Sequence, residues 1–378
     1  MSDRIRVGII GANPDRGWAS RAHIPALRAL PDYELTAVGT SRRESAERAA
    51  RVFGADHAFT DARGLAEHPD VDLVVITVKV PAHAELIRAA LAAGKHVYSE
   101  WPLTRTTAEA GAIVGAAAAA PGLHVVGLQA GLAPAVQRAG ALMVNSRFVG
   151  KVVSVTVYAA RGKGAGGRIP QWAAYTLDRE NGAGMLEVAG GHTLATVESL
   201  VGPLTEVSAE LAIRHPLTII NETGERVSVT SPDHLLLTGR TDTGVPVAAH
   251  IHDGKVTDGR TRIEISGTDG DLVIVSDGPS GAGGIQMSDL RLLGSNGPGG
   301  AWQDLTPEEA GPFATLPIES RNVARLYDCL AGDLRRDLHL VPSFETGLHM
   351  HRVLDAIRRS ADSGRRETVE AGAPVTTR

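Results

Sequence analysis

The sequence predicts a protein of two domains, an α/β domain followed by an α+β domain. Strand and helix patterns alternate through the first third of the chain. The alternation stops near Gly127, and short strand patterns separated by turn signals follow it. Alternating strands and helices form a parallel sheet covered by helices, whereas successive strands joined by tight turns form an antiparallel sheet.

The first domain is assigned to residues 1–126. Its strands are short apolar runs, and Leu73–Val78 is almost continuously apolar, as in a parallel strand buried on both faces. We predict strands at Ile5–Ile10, Leu35–Thr40, Leu73–Val78, His96–Ser99 and Leu123–Leu128. We predict helices at Arg21–Leu30, Glu44–Phe53, Ala82–Ala93 and Ala112–Ala120, with Pro31, Gly54 and Gly94 as stop signals.

The second domain is assigned to residues 127–378 and is predicted to contain a large, open, mostly antiparallel sheet. Turn signals such as Asp253–Gly254 and Asp269–Gly270 separate its strand patterns. We predict strands at Lys151–Tyr158, Val207–Ile213, Arg226–Val229, Leu235–Arg240, Val245–Ile251, Thr261–Ser266 and Leu272–Val275. Helices are predicted at Gly191–Leu200, Arg321–Leu330 and Glu345–Ser360, and loops at Gly162–Gly167 and Gly278–Gly300.

Composition excludes several classes of protein. The chain has 378 residues and a net charge of -5, so neither nucleic acid nor an anionic membrane is an expected partner. Its one cysteine, Cys329, cannot form an intrachain disulfide. No signal-peptide pattern opens the chain and no apolar run is long enough to span a bilayer, so a cytoplasmic location is expected.

The turn after the first strand has the glycines that a pyrophosphate-binding loop needs. Glycine lets the backbone approach the phosphates, and the following helix N-terminus supplies amide groups. The turn is longer than the usual one, and an ordinary strand–helix turn is the alternative. The position between a strand and a helix favours a dinucleotide-binding Rossmann domain. The candidate contacts are Gly8, Gly11, Asn13, Gly17, Trp18 and Ser20.

The end of the second strand bears on the choice between NAD and NADP. NAD-selective sites usually place a carboxylate there, which accepts hydrogen bonds from the ribose 2′-hydroxyl. Here Ser41 and Arg42 follow the strand, and a hydroxyl with a guanidinium suits a 2′-phosphate. NADP is therefore favoured. NAD stays open, because arginines after a strand are often solvated helix starts.

Three further stretches, Val74–His83, Ala89–Leu103 and Pro342–Gly364, resemble the Gfo/Idh/MocA oxidoreductases. The resemblance covers nearly the whole chain. It implies a Rossmann domain, a second domain with a large open sheet, a nicotinamide cofactor and a sugar or cyclitol substrate. It also implies that the second-domain sheet is a homo-oligomer surface, giving a dimer or a tetramer.

Within this family the chain is most similar to the Gal80-like branch. The long Gly11–Ser20 turn, Glu100–Trp101–Pro102 and Gly190–Gly191–His192 carry this similarity. The branch includes the fungal galactose regulator, which keeps the fold and binds dinucleotide but represses transcription through protein contacts. A regulator without turnover is therefore the alternative function.

The chain departs from the enzymes of the family at two places. Most of them have a lysine where this chain has Trp101, and that ammonium orients the substrate hydroxyl and lowers its pKa. An indole can only stack or donate one hydrogen bond. The carboxylate that usually follows the catalytic histidine is also missing, and Glu187 replaces the preceding one with one residue of extra spacing.

His192 is the predicted base, because an imidazole titrates near working pH; a helix-capping histidine is the alternative. The resemblance implies that Glu100 lies near the nicotinamide ribose and that Pro81 and His83 shape the loop over the nicotinamide.

The predicted catalytic residues are His192, Tyr175 and Glu187, and the predicted substrate contacts are Lys163, Trp172, Tyr175 and His192. The remaining predicted cofactor contacts are Pro81, His83, Glu100, Trp101 and Gln129. No metal site is predicted.

The function expected from these residues is NAD(P)-dependent hydride transfer between the nicotinamide and a carbinol or ketone of a sugar-like substrate. A dinucleotide-binding regulator without turnover is the alternative. A third possibility is a redox relay that holds its NAD(P) tightly and catalyses no net oxidation. The expected partner is a small molecule, with neither nucleic acid nor membrane.

Overall fold

The computed structural model describes residues 4–145, 148–276, 283–336 and 338–370. Contacts divide the chain into two compact units. The first runs to Gln129 and includes Glu309–Leu348, and the second comprises Ala130–Glu308 with the chain from His349. The predicted single boundary between residues 126 and 127 does not include the return of Glu309–Leu348 to the first unit. No helix in the described ranges is long and apolar enough to cross a membrane.

The first unit contains a sheet of six parallel strands, which confirms the predicted α/β architecture. The strands are β1 Ile5–Ile10, β2 Tyr33–Gly39, β3 His57–Phe59, β4 Leu73–Ile76, β5 His96–Glu100 and β6 His124–Gly127. Their order across the sheet is β3-β2-β1-β4-β5-β6. Every side chain of β4 is buried, as expected between two layers of helices. The order reverses between β1 and β4, and ligands of such sheets bind at the carboxyl ends of those strands.

The helices follow from caps and stop signals in the sequence. They are α1 Ile24–Ala29, α2 Arg43–Phe53, α3 Ala62–Glu67, α4 His83–Ala92, α5 Thr107–Ala119, α6 Pro134–Asn145, α7 Gly191–Val201, α8 Ile318–Arg336 and α9 Phe344–Ser363. Helix α5 begins five residues before its predicted start, because the Thr106 hydroxyl caps it by accepting the Glu109 amide. Helix α2 ends as predicted at Gly54, which has a φ of 77°.

A π-helical turn, Ala19–His23, precedes α1 in the segment predicted as one continuous helix. This turn carries the fully buried His23 against the rings of Tyr98 and Tyr327. Tyr327 lies on α8, and its carbonyl accepts a hydrogen bond from the Tyr33 hydroxyl at 2.6 Å. These aromatic contacts hold α8 against the parallel sheet, so the late segment belongs to the first unit.

The second unit contains a nine-stranded mixed sheet, which confirms the open, mostly antiparallel sheet. Its strands are β7 Val152–Ala160, β9 Leu204–Ala212, β12 His234–Thr241, β13 Pro246–His252, β14 Arg260–Gly267, β15 Gly270–Ser276, β16 Leu290–Asn296, β17 Gln303–Asp304 and β18 Glu367–Thr368. Their order is β17-β16-β15-β14-β7-β13-β12-β9-β18. Strands β7 and β13 pair in parallel, and the neighbouring pairs are antiparallel. One face of β13 is buried through Val247, Ala249 and Ile251.

A smaller sheet lies beside this one in the second unit. Its strands, β8 Arg168–Ile169, β10 Leu217–Ile220 and β11 Arg226–Ser228, pack through Ile169 and Ile220 on Ala173. The predicted loop Gly278–Gly300 was wrong in part, because β16 lies inside it with Leu292 fully buried. Flanking glycines and serines obscured its two-residue alternation. Residues 278–282 of that loop lie outside the described ranges.

His349 and Glu198 form an ion pair in the second unit that makes stability depend on pH. The hydrogen bond that His349 Nε2 donates to the Glu198 carboxylate raises the pKa of His349, against a smaller lowering by burial. A histidine with a raised folded-state pKa stabilises the fold at low pH, and this contribution is lost as pH rises through that pKa. We expect His349→Gln to lower the free energy of unfolding by up to about 1 kcal/mol at pH 5.5 and little at pH 9.

Urea unfolding of the parent and the variant at both pH values measures this difference. His250→Gln is the matched control, since burial and the nearby His234 lower the pKa of His250. Its imidazole is therefore costly to protonate, and the control should gain stability relative to the parent at pH 5.5. An equal loss at both pH values in His349→Gln would show that the pair acts by packing alone.

Candidate functional site

The turn after β1 has the backbone geometry of a phosphate loop. Gly11 has a φ of 99°, and a Cβ there would lie 2.8 Å from Thr77 Oγ1 and 2.9 Å from Val78 Cγ1. Its amide donates to the carbonyl of Gly39 at the end of β2. Gly8 has a different reason to be glycine, because its Cβ would lie 2.7 Å from Leu65 Cδ2 in α3. Gly11 therefore shapes the turn, and Gly8 allows a helix to pack on the strand.

The longer part of the turn is ordered by its own side chains. Asn13 Oδ1 accepts the amide of Asp15 at 2.9 Å, and the Ser20 hydroxyl donates to the carbonyl of Gly17, whose φ is 104°. Within the described ranges the buried Nε1 of Trp18 has no hydrogen-bond partner. A buried donor without a partner is costly, so a ligand that accepts from Trp18 is expected to bind favourably there.

Gly11→Ala is expected to lower the free energy of unfolding by about 1–3 kcal/mol and to weaken nucleotide binding, since the turn needs a positive φ and has no space for a Cβ. Urea unfolding and a fluorescence titration with NADH measure the two effects. Gly115→Ala in α5 is the control, because a Cβ there meets nothing within 4 Å and alanine is the better helix former. Identical behaviour of the two variants would contradict the assignment of the loop.

The end of β2 carries no carboxylate. Ser41 and Arg42 are exposed, and the carbonyl of Arg42 accepts from the hydroxyls of Thr40 and Ser45 at the start of α2. The guanidinium of Arg42 has no hydrogen-bond or ion-pair partner among the residues that the structure describes. It is therefore available to a ligand phosphate.

His83 joins the loops that follow β4 and β5. Its Nδ1 lies 2.9 Å from the Pro102 carbonyl and its Nε2 lies 3.0 Å from the Val78 carbonyl. Burial lowers its pKa, and a neutral imidazole donates to only one of these oxygens. Pro81 lies in the short helix Val80–Ala82 just before it. His83 thus fixes the loops, and its ring nitrogens are occupied by the protein.

Glu100 ends β5 and belongs to a buried chain of hydrogen bonds. Its Oε1 lies 3.0 Å from His23 Nε2, and His23 Nδ1 lies 2.7 Å from the Tyr327 hydroxyl. If Tyr327 donates to Nδ1, the other ring nitrogen donates to the carboxylate, which fixes the tautomer of His23. The structure thereby orients Glu100 at the carboxyl edge of the sheet.

Two predicted cofactor contacts are more deeply buried than expected. Trp101 is 5% exposed and is joined to Pro102 by a cis peptide bond, so its indole is part of the core. Gln129, which follows β6, is 1% exposed, and its Oε1 has no hydrogen-bond partner among the described residues. The tight turn at Gly11 and the unpartnered atoms of Trp18 and Gln129 are features that fit a bound dinucleotide in this unit.

In the second unit, Arg161 and Asp253 form a buried ion pair. Arg161 Nε and Nη2 donate to the two carboxylate oxygens of Asp253 at 2.6 and 2.7 Å, and both side chains are less than a tenth exposed. The parallel pairing of β7 with β13 places the ends of these strands side by side, at Ala160 and His252. Arg161 directly follows Ala160 and Asp253 directly follows His252, so the parallel pairing brings the two charged residues together. Neither residue was predicted to belong to the site, because Asp253–Gly254 also has the sequence of a hairpin turn.

Lys163 lies two residues beyond Arg161. Burial and the charge of Arg161 lower its pKa to about 8, against opposing contributions from Asp253 and Glu187. Its ammonium has no hydrogen bond or ion pair within the described ranges. Arg161 and Asp253 neutralise each other, so Lys163 is left as an uncompensated positive charge.

His192 is buried in the first turn of α7 and its Nδ1 has no hydrogen-bond partner among the described residues. Burial and, to a smaller extent, the charge of Arg161 lower its pKa to about 3. This differs from the expectation of an imidazole that titrates near working pH. His192 is neutral over the physiological range and offers a hydrogen bond to a ligand.

Glu187 has its carboxylate occupied by the protein. Oε1 accepts from Arg358 Nη2 at 2.5 Å, and Oε2 accepts the amide of Gly184 at 2.8 Å. Both bonds fix the π-helical turn Leu186–Gly190 that leads into α7. Arg358 and Gly184 thus hold the carboxylate in place, and the catalytic role of Glu187 stays a prediction.

Tyr175 and Trp172 lie on the short helix Gln171–Leu177 that packs on the small sheet. Burial raises the pKa of Tyr175, which makes it a weak acid at neutral pH. Trp172 is 61% exposed. The charge of Arg161 lowers the pKa values of both Lys163 and His192. The helix that carries Tyr175 and Trp172 packs on the small sheet.

A small cavity lies beside the ion pair. It has a volume of about 50 Å³, and its lining includes Lys163, Ser231 and Asp253. The hydroxyl of Ser231 is buried and has no hydrogen-bond partner in the described part of the chain. A space of this size holds one or two water-sized groups. The cavity therefore suits a hydroxyl-sized group, with hydrogen bonds available from Ser231 and Lys163.

Comparisons with known proteins agree with this geometry. Residues 5–128 match the family described as "Oxidoreductase family, NAD-binding Rossmann fold", and residues 134–276 match "Gal80p, C-terminal domain". The chain is 29% identical to dehydrogenase aclE of Aspergillus oryzae, over 96% of this chain and 98% of that protein. It is 27% identical to the galactose/lactose metabolism regulatory protein GAL80 of Kluyveromyces lactis, over 76% of this chain and 66% of that protein.

A solved structure of levoglucosan dehydrogenase in complex with NADH and L-sorbose has the same fold. The TM-score is 0.84 at 22% identity, covering 97% of this chain and 99% of the other. The boundary between the two family matches, between residues 128 and 134, agrees with the boundary at Gln129 that the contacts of the chain define. The NAD-binding Rossmann domain comes first. The chain belongs to the Gfo/Idh/MocA oxidoreductase family and has a Gal80-like C-terminal domain.

Proposed function

We propose that this chain is an NAD(P)-dependent oxidoreductase that transfers a hydride between the nicotinamide and a carbinol or ketone of a sugar-like substrate. The observation that supports it most is the pair of unpartnered polar groups in the second unit, Lys163 Nζ and His192 Nδ1. Unpartnered polar groups whose pKa values are lowered, as both are here, are concentrated where ligands bind and react. The dehydrogenase relatives supply the substrate class by analogy.

Lys163 is the proposed acid–base group, in place of the lysine that Trp101 replaces. With a pKa of about 8, its amine accepts the hydroxyl proton of a carbinol and its ammonium returns that proton to a ketone. His192, which stays neutral, holds the same oxygen through a hydrogen bond. A bound nicotinamide supplies the hydride acceptor or donor.

The proposed cofactor contacts are the Gly11 turn, Asn13, Gly17, Trp18 and Ser20, with Gln129 beyond β6. The structure gives Gly8, His83, Glu100 and Trp101 protein partners or core positions, so we propose that they shape the site. Pro81 remains a proposed contact at the loop after β4. For substrate we propose Lys163 and His192 first, with Tyr175 and the exposed Trp172 as outer contacts.

NADP is the proposed cofactor over NAD, because Ser41 and the unpaired Arg42 follow β2 with no carboxylate. A charge-assisted hydrogen bond to the 2′-phosphate is worth about 1.5–3 kcal/mol. We expect Arg42→Ala to raise the Kd for NADPH about tenfold or more and to change that for NADH less than about twofold. Arg43→Ala is the control, since Arg43 is paired with Glu47. An equal effect on both nucleotides, or on neither, would favour NAD.

The test of the enzyme begins with denaturation of the purified protein and identification of any released nucleotide. Absorbance of reduced nicotinamide then follows turnover while sugars, cyclitols and their keto forms are screened. Turnover that is lost in His192→Ala supports the enzyme and its site. Bound nucleotide without turnover on any substrate would favour the regulator, or a redox relay with a tightly held cofactor. A protein that binds no nucleotide would overturn the proposal.

The regulator remains the second candidate because two observations favour it. The GAL80 relative is a regulatory protein by name, and the family lysine is replaced here by the core residue Trp101. A homo-oligomer formed through the nine-stranded sheet is compatible with both functions. Light scattering of the purified chain with and without nucleotide tests the oligomeric state.

A further inference from the structure

Two histidines and an aspartate converge in the first unit at the amino ends of the strands. His57 opens β3, His68 follows α3, and Asp70 precedes β4. One side-chain donor atom from each lies within 4.8 Å of the others. Asp70 Oδ2 is 3.2 Å from His57 Nε2 and 4.0 Å from His68 Nδ1. The cluster is thus at the opposite edge of the sheet from the phosphate loop, and the proposed function does not use it.

These atoms are the donor set that borderline divalent metals prefer. Imidazole nitrogen and carboxylate oxygen bind Zn²⁺ at about 2.0–2.2 Å, which places tetrahedral ligand atoms about 3.3 Å apart. The His57–Asp70 distance of 3.2 Å already has that value, and the His68–Asp70 distance of 4.0 Å and the separation of the two imidazole nitrogens, within 4.8 Å, would shorten on binding. We propose that His57, His68 and Asp70 form a binding site for one divalent transition-metal ion of the Zn²⁺ type, with water completing its coordination.

The surroundings orient the carboxylate toward the two imidazoles. Asp70 Oδ1 accepts from Arg6 Nη1 at 3.0 Å, which leaves Oδ2 directed at the histidines. Arg6 also makes two hydrogen bonds to Asp72, through Nε and Nη2. The guanidinium charge is therefore largely neutralised by Asp72. Such outer contacts to a ligating carboxylate are a regular feature of metal sites.

The rings are held close together but remain accessible. The centroids of His57 and His68 are 4.0 Å apart, and Phe59 packs edge-on against His68 at 5.6 Å. The side chains of His57, His68 and Asp70 are 33%, 24% and 49% exposed, so an ion and its waters can reach them. The amide of Asp70 donates to His68 Nδ1 at 3.2 Å. A metal takes the same lone pair and replaces this long hydrogen bond.

Sequence spacing did not reveal the site. His57 and His68 are separated by a helix, and Asp70 follows the second of them by two residues, which matches no regular metal-binding motif. The three residues come together because the strands β3, β2, β1 and β4 are parallel, so the chain enters each of them at the same edge of the sheet. A bound ion would link the edge strand β3 to the turn before β4, so it should stabilise the first unit.

The test uses the full chain after removal of metal by a chelator, with Zn²⁺ alone as the probe. Competition with a chromophoric chelator measures affinity and stoichiometry. We expect one equivalent of Zn²⁺ bound at micromolar or lower concentration, and at least tenfold weaker binding in His57→Gln, His68→Gln and Asp70→Asn. Thermal unfolding should show a rise in Tm with Zn²⁺ in the parent that each variant lacks.

A control is needed because the second unit holds other stacked histidines, His234, His250 and His252. His234→Gln should keep the tight equivalent. Electron paramagnetic resonance of the Cu²⁺-loaded parent should show two nitrogen ligands, and His57→Gln, whose partly exposed side chain makes it a mild change, should show one. Loss of the tight equivalent in His234→Gln alone would overturn the proposal. Binding only at millimolar Zn²⁺, meaning an adventitious ion only, would also overturn it.

Discussion

Lys163→Met is expected to lower kcat/KM by about 10²–10⁴-fold on the substrate found by screening, which is the usual contribution of a general acid–base group. Methionine keeps the length and apolar character of the chain but removes the amine. Nucleotide affinity should stay within about twofold, because the proposed nucleotide contacts of the glycine-rich turn belong to the first unit. Steady-state kinetics and a fluorescence titration with reduced nucleotide measure the two quantities separately.

The pH profile distinguishes acid–base chemistry from simple substrate binding by Lys163. With a pKa of about 8, the amine becomes neutral as pH rises through that value. Oxidation of the carbinol, which needs the neutral amine, should increase with pH and level off above about 8. Reduction of the ketone, which needs the ammonium, should decrease over the same range. Both inflections should disappear in Lys163→Met.

Lys151→Met is the matched control, because Lys151 is exposed and lies in the same unit before β7. Its kinetics should equal those of the parent. If Lys163→Met kept the inflection near pH 8, the titrating group would be elsewhere. If it changed KM alone and left kcat intact, Lys163 would bind substrate without transferring a proton.

The sequence predicted most of the fold, because the patterns that identify its strands are local. Apolar runs such as Leu73–Ile76 and the alternation in β12–β15 depend on neighbouring residues alone. Strand β16 was missed because Gly294 and Ser295 within it, and the glycines around it, are typical of loop sequence. The assignment of α8 to the first unit could not be predicted, since it depends on contacts of Tyr327 with residues nearly 300 positions away.

Local motifs were enough to select two candidate residues, Gly11 after the first strand and His192 after Gly190–Gly191, and their roles stay predictions. The electrostatics of the candidate site could not be predicted from local motifs. The parallel pairing of β7 with β13 brings Arg161 beside Asp253, and that pairing is a property of the whole sheet. The nearby charge and the burial then set the pKa values of Lys163 and His192. Because of these pKa values, we propose Lys163 and not His192 as the base.

Arg161→Met is expected to lower the free energy of unfolding by about 3–5 kcal/mol at pH 7, because it leaves the Asp253 carboxylate buried without its partner. In the parent, burial raises the pKa of Asp253 but Arg161 outweighs it, so the pKa is lowered and the pair's contribution is lost only in acid. The variant's deficit should therefore shrink as pH falls towards 4, where Asp253 can be protonated. Urea unfolding across pH measures it, and Arg262→Met, which breaks the exposed pair with Glu264, should cost less than about 1 kcal/mol.

The double variant Arg161→Met/Asp253→Leu separates the fold from the chemistry. Removing both charges leaves no unpaired ion, so most of the stability lost in Arg161→Met should return. The pKa of Lys163 should rise in Arg161→Met, because Arg161 lowers it, and should change less in the double variant, which also removes the opposing contribution of Asp253. In Arg161→Met the inflection of the pH profile should move above 8. A double variant as unstable as the single one would show that Arg161 acts through its packing. An inflection unchanged in Arg161→Met would show that the charge of Arg161 does not act on Lys163.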